Sequence, residues 1–321
     1  MSDSSVVVLS SGPASLSPAI ASRERRINPA LLYLASLYSP ESRRTMRSKI
    51  NCVARLAGAT SLEDMDWTTL RFQTVYQIML ALEAKKLVGS TINCYLVAIK
   101  GIAHMAWAQG LLPESEWLRI QDVKSRRYSR KPTGRSISSA ESRSLLNVEP
   151  SCSRTKDVRD YAILTLMIGC GIRRAEICGL RLEDLNREEK TLEIVGKGNK
   201  GRTAHLPPET LKAVGRWIDE FRGTEAGYLF GRVSKSGKLT LGRPLNPSGI
   251  SQMIERNVGA KGIAKLTPHD LRRTFATRLL AAGHDIVTVQ RAMGHANVQT
   301  TARYDRRGED EQKKMAETVV L

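Results

Sequence analysis

The chain has 321 residues, room for two domains of ordinary size, each with its own core. Its 50 Lys and Arg residues against 32 Asp and Glu leave a formal charge of +18, which draws polyanions: a nucleic acid is the expected partner, ahead of an anionic membrane surface. No apolar run of roughly 18 residues predicts a membrane span, and the five cysteines (Cys52, Cys94, Cys152, Cys170, Cys178) and five histidines form neither a disulfide framework nor a zinc pattern, which points to buried thiols in a reducing, cytoplasmic setting without a metal site.

Residues 1–27, rich in Ser, Pro and Ala around one short apolar run, read as a disordered tail. From 28 to 121 the pattern is helical. "PESRRTMRSKINCVARLAG" opens on Pro-Glu and carries Met46, Ile50, Val53 and Leu56 at three- and four-residue steps. "LRFQTVYQIMLALEAKKL" and "GSTINCYLVAIKGIAHMAWAQG" follow the same rule, the latter from Ser90 to Gly110. Short connections predict a bundle of four or five helices. With so cationic a chain, Arg43, Arg44 and Arg47 are candidate contacts to a nucleic-acid phosphate backbone. The stretch 122–136 contains "KSRRYSRKPTGR", where Lys124, Arg126, Arg127, Arg130, Lys131 and Arg135 meet no acidic residue. That composition predicts a linker too polar to pack and suited to lie along a phosphate backbone.

A second domain is expected over 137–308. "SSAESRSLL" opens it with a Ser cap. "DVRDYAILTLMIGCGIRRAEICGLRLEDL" reads as a long apolar helix broken at Gly169 and Gly171, then a second helix from about Arg174. "KTLEIVGKGNKGRTAHLP" alternates polar and apolar on both sides of a Gly-rich turn, the mark of a β-hairpin. "TPHDLRRTFATRLLAAG" has a Thr267 cap, Pro268 at its first position and Gly283 as its stop. Two short helices bring the chain to Tyr304. The fold class is thus mainly α with a small antiparallel β-sheet: a helical N-terminal domain followed by an α+β domain.

"GKGNKG" matches the dinucleotide fingerprint G-x-G-x-x-G but lacks its context, because "RTAHLP" continues as a strand where the fingerprint needs a helix. No nucleotide cofactor is expected. What remains is a tight turn with Lys197 and Lys200 at its tip.

These lysines have neighbours of a telling kind. Arg173 stands between two helices with Glu176 one turn on. His269 and Arg272 share one helix face. His295 follows the Gly294 stop, and Tyr304 comes nine residues later among arginines. Each is ordinary alone; together they are what phosphoryl transfer onto a tyrosine needs. Attack on a phosphodiester builds charge on two non-bridging oxygens, which two guanidiniums hold in forked geometry. A phenol, whose ordinary pKa is about 10, needs an acceptor for its proton, and the departing sugar oxygen needs a donor.

"GIRRAEICGL", "GKGNKGRTAHLP", "TPHDLRRTFATRLLAAG" and "MGHANVQTTARYDRR", in that order over about 138–307, resemble the tyrosine recombinases, the phage-integrase and Xer-like family. The helical domain resembles that family's core-binding, DNA-binding domain more loosely, and the second its catalytic domain. The resemblance implies that Arg173 and Arg272 clamp the scissile phosphate and that Glu176 supports Arg173. It makes Lys197 the general acid, His269 the acid/base group, His295 a phosphate hydrogen-bond donor and Tyr304 the nucleophile; Lys200 is the second choice of acid. It further implies double-stranded DNA cut at specific recombination sites, a 3′-phosphotyrosine intermediate, a Holliday junction, a homo-tetramer on DNA, room for accessory proteins, and no cofactor or metal. The tail 309–321 would pack on a neighbouring subunit through Met315, Val319 and Val320. DNA relaxation of the type IB topoisomerase kind, and a non-catalytic DNA-binding accessory role in a mobile element, are the competing readings.

Overall fold

The structure, a computed structural model, describes residues 27–128, 134–147, 154–196, 201–295, 297–302, 304 and 305. The disordered tail expected over 1–27 (all but its last residue), the C-terminal tail, Arg130, Lys131, Lys197 and Lys200 therefore lie outside the described residues. The chain divides into two compact units, residues 1–130 and 131–321.

The first unit is helical: α1 (Pro29–Ser36), α2 (Pro40–Leu56), α3 (Phe72–Ala84), α4 (Gly89–Ala108) and α5 (Glu114–Asp122). Its core forms where the apolar stripes meet. Ile50 and Val53 of α2, Ile78 and Leu82 of α3 and Leu96, Ile99 and Ile102 of α4 are all but fully buried. α2 starts where the sequence predicts, with Ser39 accepting from the Ser42 N–H.

The basic candidates of this unit are exposed but engaged. Arg44 pairs with Glu41 at 3.2 Å, Arg47 with Glu63 at 2.6 Å, and Arg43 donates to the Leu37 carbonyl at 2.7 Å. Lys124 pairs with Asp122 at 2.8 Å, and Arg127 is exposed.

The expectation of a linker too polar to pack is corrected at both of its ends. Arg126 bonds Glu83 and lies over the Tyr76 ring, while its backbone N–H donates to Asn93 at 2.7 Å. Arg135 pairs with Glu141 at 2.7 Å, donates to the Ala264 carbonyl at 3.0 Å, and gives its backbone N–H to Asp270 at 3.0 Å. Polar residues pack here because each donor meets a fixed acceptor. The cysteine expectation is corrected too. Cys170 and Cys178 are buried, with thiols pushed by burial up to about 12 and about 11, whereas Cys94 is exposed on α4.

In the second unit α6 (Ser139–Leu145) opens with a capping box between Ser138 and Glu141. α7 (Thr155–Gly169) is buried along nearly its whole length, which explains its largely apolar stretch from Ala162 to Ile168. After the break at Gly169–Gly171 comes α8 (Arg174–Gly179). Strands β1 (Leu185–Asn186), β2 (Thr191–Val195) and β3 (Gly201–His205) form an antiparallel sheet in that order, with Ile194 opposite Arg202 and Val195 opposite Gly201. Five of these elements were not read from sequence: β1, α9 (Pro208–Trp217), the β4 (Arg232–Val233) and β5 (Leu239–Thr240) hairpin, and α10 (Pro247–Ala260). Last come α11 (Pro268–Ala281), α12 (Ile286–Met293) and α13 (Val298–Ala302). The core joins α7, α8, β2, α9, α10 and the start of α11 around Trp217 and Phe230.

Gly171 has φ +61, and a Cβ there would overlap the Phe275 ring of α11. Two penalties therefore fall on a side chain, the left-handed backbone and the lost close approach. Gly171→Ala should lower stability by about 1–3 kcal/mol. Gly179→Ala, with open space and an ordinary φ, should stay within about 0.5 kcal/mol of the parent. Calorimetric unfolding of the full chain checks this, and equal transition temperatures for the two variants contradict it.

Candidate active site

The site gathers at three helix ends. Arg173 is the N-cap of α8, and Glu176 is its third residue. The Glu176 carboxylate closes back on the Arg173 backbone N–H at 2.8 Å and accepts from Arg173 Nη1 at 2.6 Å. From the other side Arg202 of β3 donates Nη1 to Oε1 at 2.9 Å and Nη2 to Oε2 at 2.8 Å. Burial opposes the charge of Glu176, yet the bonds from Arg202 and Arg173 outweigh it and hold the carboxyl at about 2. Arg173 reaches onward: its Nη2 donates to the Gly294 carbonyl at 2.8 Å.

α11 supplies the next pair. Thr267 and Asp270 form its capping box, with Thr267 N–H and Oγ1 donating to Asp270 Oδ2 at 2.8 and 2.7 Å. Arg272 is 2% exposed and hangs from two carbonyls, Gly171 through Nη1 and Met293 through Nη2. Burial, then the neighbouring Arg173, pulls its guanidinium down to about 9, still a cation at neutral pH. His269, one turn earlier, is exposed; desolvation and the charges of Arg174 and Arg272 push its imidazole below the ordinary value.

α12 stops at Gly294, whose φ of 61° and ψ of 46° make a left-handed cap. The next residue, His295, is held by Gln290 twice: its N–H donates to the Gln290 carbonyl at 3.1 Å, and Gln290 Nε2 donates to its carbonyl at 2.8 Å. His295 Nδ1 lies 2.9 Å from Oγ1 of the buried Thr301. Thr301 in turn accepts the Tyr304 N–H at 2.9 Å. The half-buried Tyr304 ring stands 6.1 Å from the His295 ring and 5.3 Å from the Arg273 guanidinium, centre to centre. It shares a cavity of about 620 Å³ with His269, Arg174, Lys265 and Arg273.

The structure thus brings Arg173, Glu176, Arg272, His295 and Tyr304 into one cluster and sets His269 in the adjoining cavity. Lys197, the expected general acid, lies outside the described residues. Sequence reading missed Arg202, Arg174 and Arg273. For Arg202 a signal existed: it sits in phase with buried Ala204 on β3, and an inward arginine requires a buried acceptor. Among the described residues no group of His, Cys, Asp and Glu could hold a metal ion, and no helix is long and apolar enough to cross a membrane.

Burial and the charges of Arg272, Arg173 and Arg202 hold His295 down at about 4, so its ring is neutral at pH 7. The folded protein takes up this proton at lower pH than the unfolded chain does. The stability owed to neutral His295 is therefore complete above about pH 6.5 and falls away between there and about pH 4. His295→Gln, which takes up no proton, should lose less stability across that window. Identical acid limbs in urea unfolding of the two proteins contradict a neutral His295.

The profile of the phage integrase family matches residues 135–311. The tyrosine recombinase XerC of Alcanivorax borkumensis is 30% identical over 285 residues, covering 87% of this chain and 88% of that protein. XerA of Pyrococcus furiosus is 29% identical over 282 residues, 82% of this chain and 91% of that one. The Tn1549 transposon integrase in complex with a circular intermediate DNA shares the fold, with a TM-score of 0.64 at 19% identity over 91% of this chain and 99% of that one. So does the XerH recombinase bound to palindromic difH substrate, with a TM-score of 0.61 at 21% identity over 87% and 80%. This chain belongs to the phage integrase family and is a tyrosine-type site-specific recombinase.

Proposed function

We propose that Tyr304 attacks a DNA phosphodiester held by Arg173 and Arg272, forming a 3′-phosphotyrosine bond and releasing a 5′-hydroxyl strand. The phenol's proton passes to His269, and Lys197 protonates the leaving 5′ oxygen. Where the Thr301 hydroxyl donates to His295 Nδ1, the neutral ring carries its proton on Nε2 and donates it to a non-bridging oxygen. The 5′ hydroxyl of a second duplex then attacks the phosphotyrosine, frees Tyr304 and restores the phosphodiester. Two such exchanges run through a Holliday junction in a homo-tetramer on two duplexes.

One observation carries this reading. Three guanidiniums, of Arg173, Arg202 and Arg272, face a single carboxylate beside Tyr304, a positive excess that a phosphodiester anion would neutralise. Topoisomerase-type relaxation and a non-catalytic accessory role are not favoured, because the relatives are recombinases by name. In this proposal residues 28–121 bind the duplex, aided by Arg43, Arg44 and Arg47. Residues 122–136, with Lys124, Arg127, Arg130 and Lys131, cross it, the catalytic domain spans 137–308, and 309–321 docks on a neighbouring subunit. The reaction takes place in the cytoplasm of a bacterial cell, at its nucleoid.

Tyr304→Phe should keep the ring packing and bind DNA within a few fold of the parent, yet give no covalent protein–DNA adduct on denaturing gels. An adduct that persists moves the nucleophile elsewhere, to Tyr161 or Tyr228 for instance.

Lys197→Ala should slow cleavage by a factor of roughly 10²–10⁴, as loss of a general acid does. A substrate with sulfur at the bridging 5′ position leaves as a thiolate and needs no proton. That substrate should largely restore Lys197→Ala while Arg173→Ala stays slow. Rescue of Lys200→Ala in place of Lys197→Ala reassigns the acid, and rescue of neither removes the turn from the role.

A further inference from the structure

Resting on the reading of Arg173 as a phosphate clamp, we infer that Arg202 is a positioning residue, which holds the Glu176 carboxylate in the one orientation that presents Arg173 beside Gly294. Arg202 lies in β3 opposite Ile194, on the same strand face as Ala204, so its side chain runs inward. Its side chain is 11% exposed and that of Glu176 is 6% exposed. A cation so far from water needs a full partner. Both of its Nη groups go to Glu176, one to each oxygen, at 2.9 and 2.8 Å. Its buried Nε makes no hydrogen bond among the described residues, so every bond the guanidinium makes there is to that carboxylate.

The fork leaves Glu176 little freedom. Arg202 and Arg173 Nη1 share Oε1, while Arg202 and the Arg173 backbone N–H share Oε2. With all four bonds in place the carboxylate plane is fixed, and with it the direction from which Arg173 is held. Arg202 also touches the far end of the same arrangement. A Cβ on Gly294 would come within 3.0 Å of Arg202 Cδ and 3.2 Å of Nη1, so the arginine stem packs against the glycine whose carbonyl receives Arg173 Nη2. One side chain of the sheet therefore sets the separation of the α8 start and the α12 stop. A lysine offers a single point of charge and no fork, so it holds the carboxylate without orienting it.

A double-mutant cycle on the full chain tests this, read as single-turnover adduct formation at saturating protein. The substrate is a nicked duplex bearing the strand position at which the parent forms its adduct. Arg202→Met should slow adduct formation by about 10²-fold, the cost of misplacing a positioned group, with DNA affinity within about threefold of the parent. Arg202→Met combined with Glu176→Gln should be no slower than Glu176→Gln alone, because Arg202 acts through that carboxylate. Arg202→Lys keeps a cation there, so it carries the same cycle if the Met variant does not fold. It should recover part of the rate and fall about tenfold short of the parent.

Parental rates in Arg202→Met or Arg202→Lys overturn the inference. So do losses that multiply in the double variant, and so does a loss that resides in DNA affinity alone. An adduct that persists in Tyr304→Phe counts against the proposed nucleophile and leaves the Arg202 cycle to be judged by its own rates.

Discussion

The carboxylate of Glu176 is the interaction on which the site depends. It is buried, ionised and ringed by two arginines from separate elements, Arg173 at the start of α8 and Arg202 on β3. A lone buried carboxylate is costly, and one guanidinium would neutralise it. A second guanidinium turns the pair into a cationic cluster, and the buried Arg272 adds to it. Burial and the same positive excess keep His295 neutral, so one arrangement of charge sets cationic guanidiniums and an uncharged ring side by side.

Backbone carbonyls, not further acids, hold the arginines in place. Arg272 is suspended between the carbonyls of Gly171 and Met293, and Arg173 reaches that of Gly294. These carbonyls belong to the break after α7 and to the end of α12, where the helical ladder has no use for them. The glycines have specific duties at these points. Gly171 takes a left-handed turn against Phe275, and Gly294 does so against Arg202. Carbonyls orient the guanidiniums without neutralising them, so the positive charge of the cluster is retained.

Much of this was legible in the sequence. Helix caps and stops located Arg173, His269, His295 and Tyr304 at element ends, because Thr267, Pro268 and Gly294 are residues chosen for backbone geometry. The β2–β3 hairpin was legible from its alternation around a Gly-rich turn. Arg202 was less legible, because its meaning lies in a partner 26 residues away in sequence. The linker follows the same rule. Arg126 and Arg135 look like surplus charge until Glu83 and Glu141 are brought beside them by the fold.

The central claim is that this charge cluster serves transfer of a DNA 3′ phosphate to Tyr304. The most direct measurement is chemical identification of the trapped protein–DNA adduct by digestion and mass spectrometry. The account predicts a nucleotide joined through its 3′ phosphate to the peptide containing Tyr304, with a free 5′ hydroxyl on the other strand end. A linkage through a 5′ phosphate, or to any other residue, contradicts it.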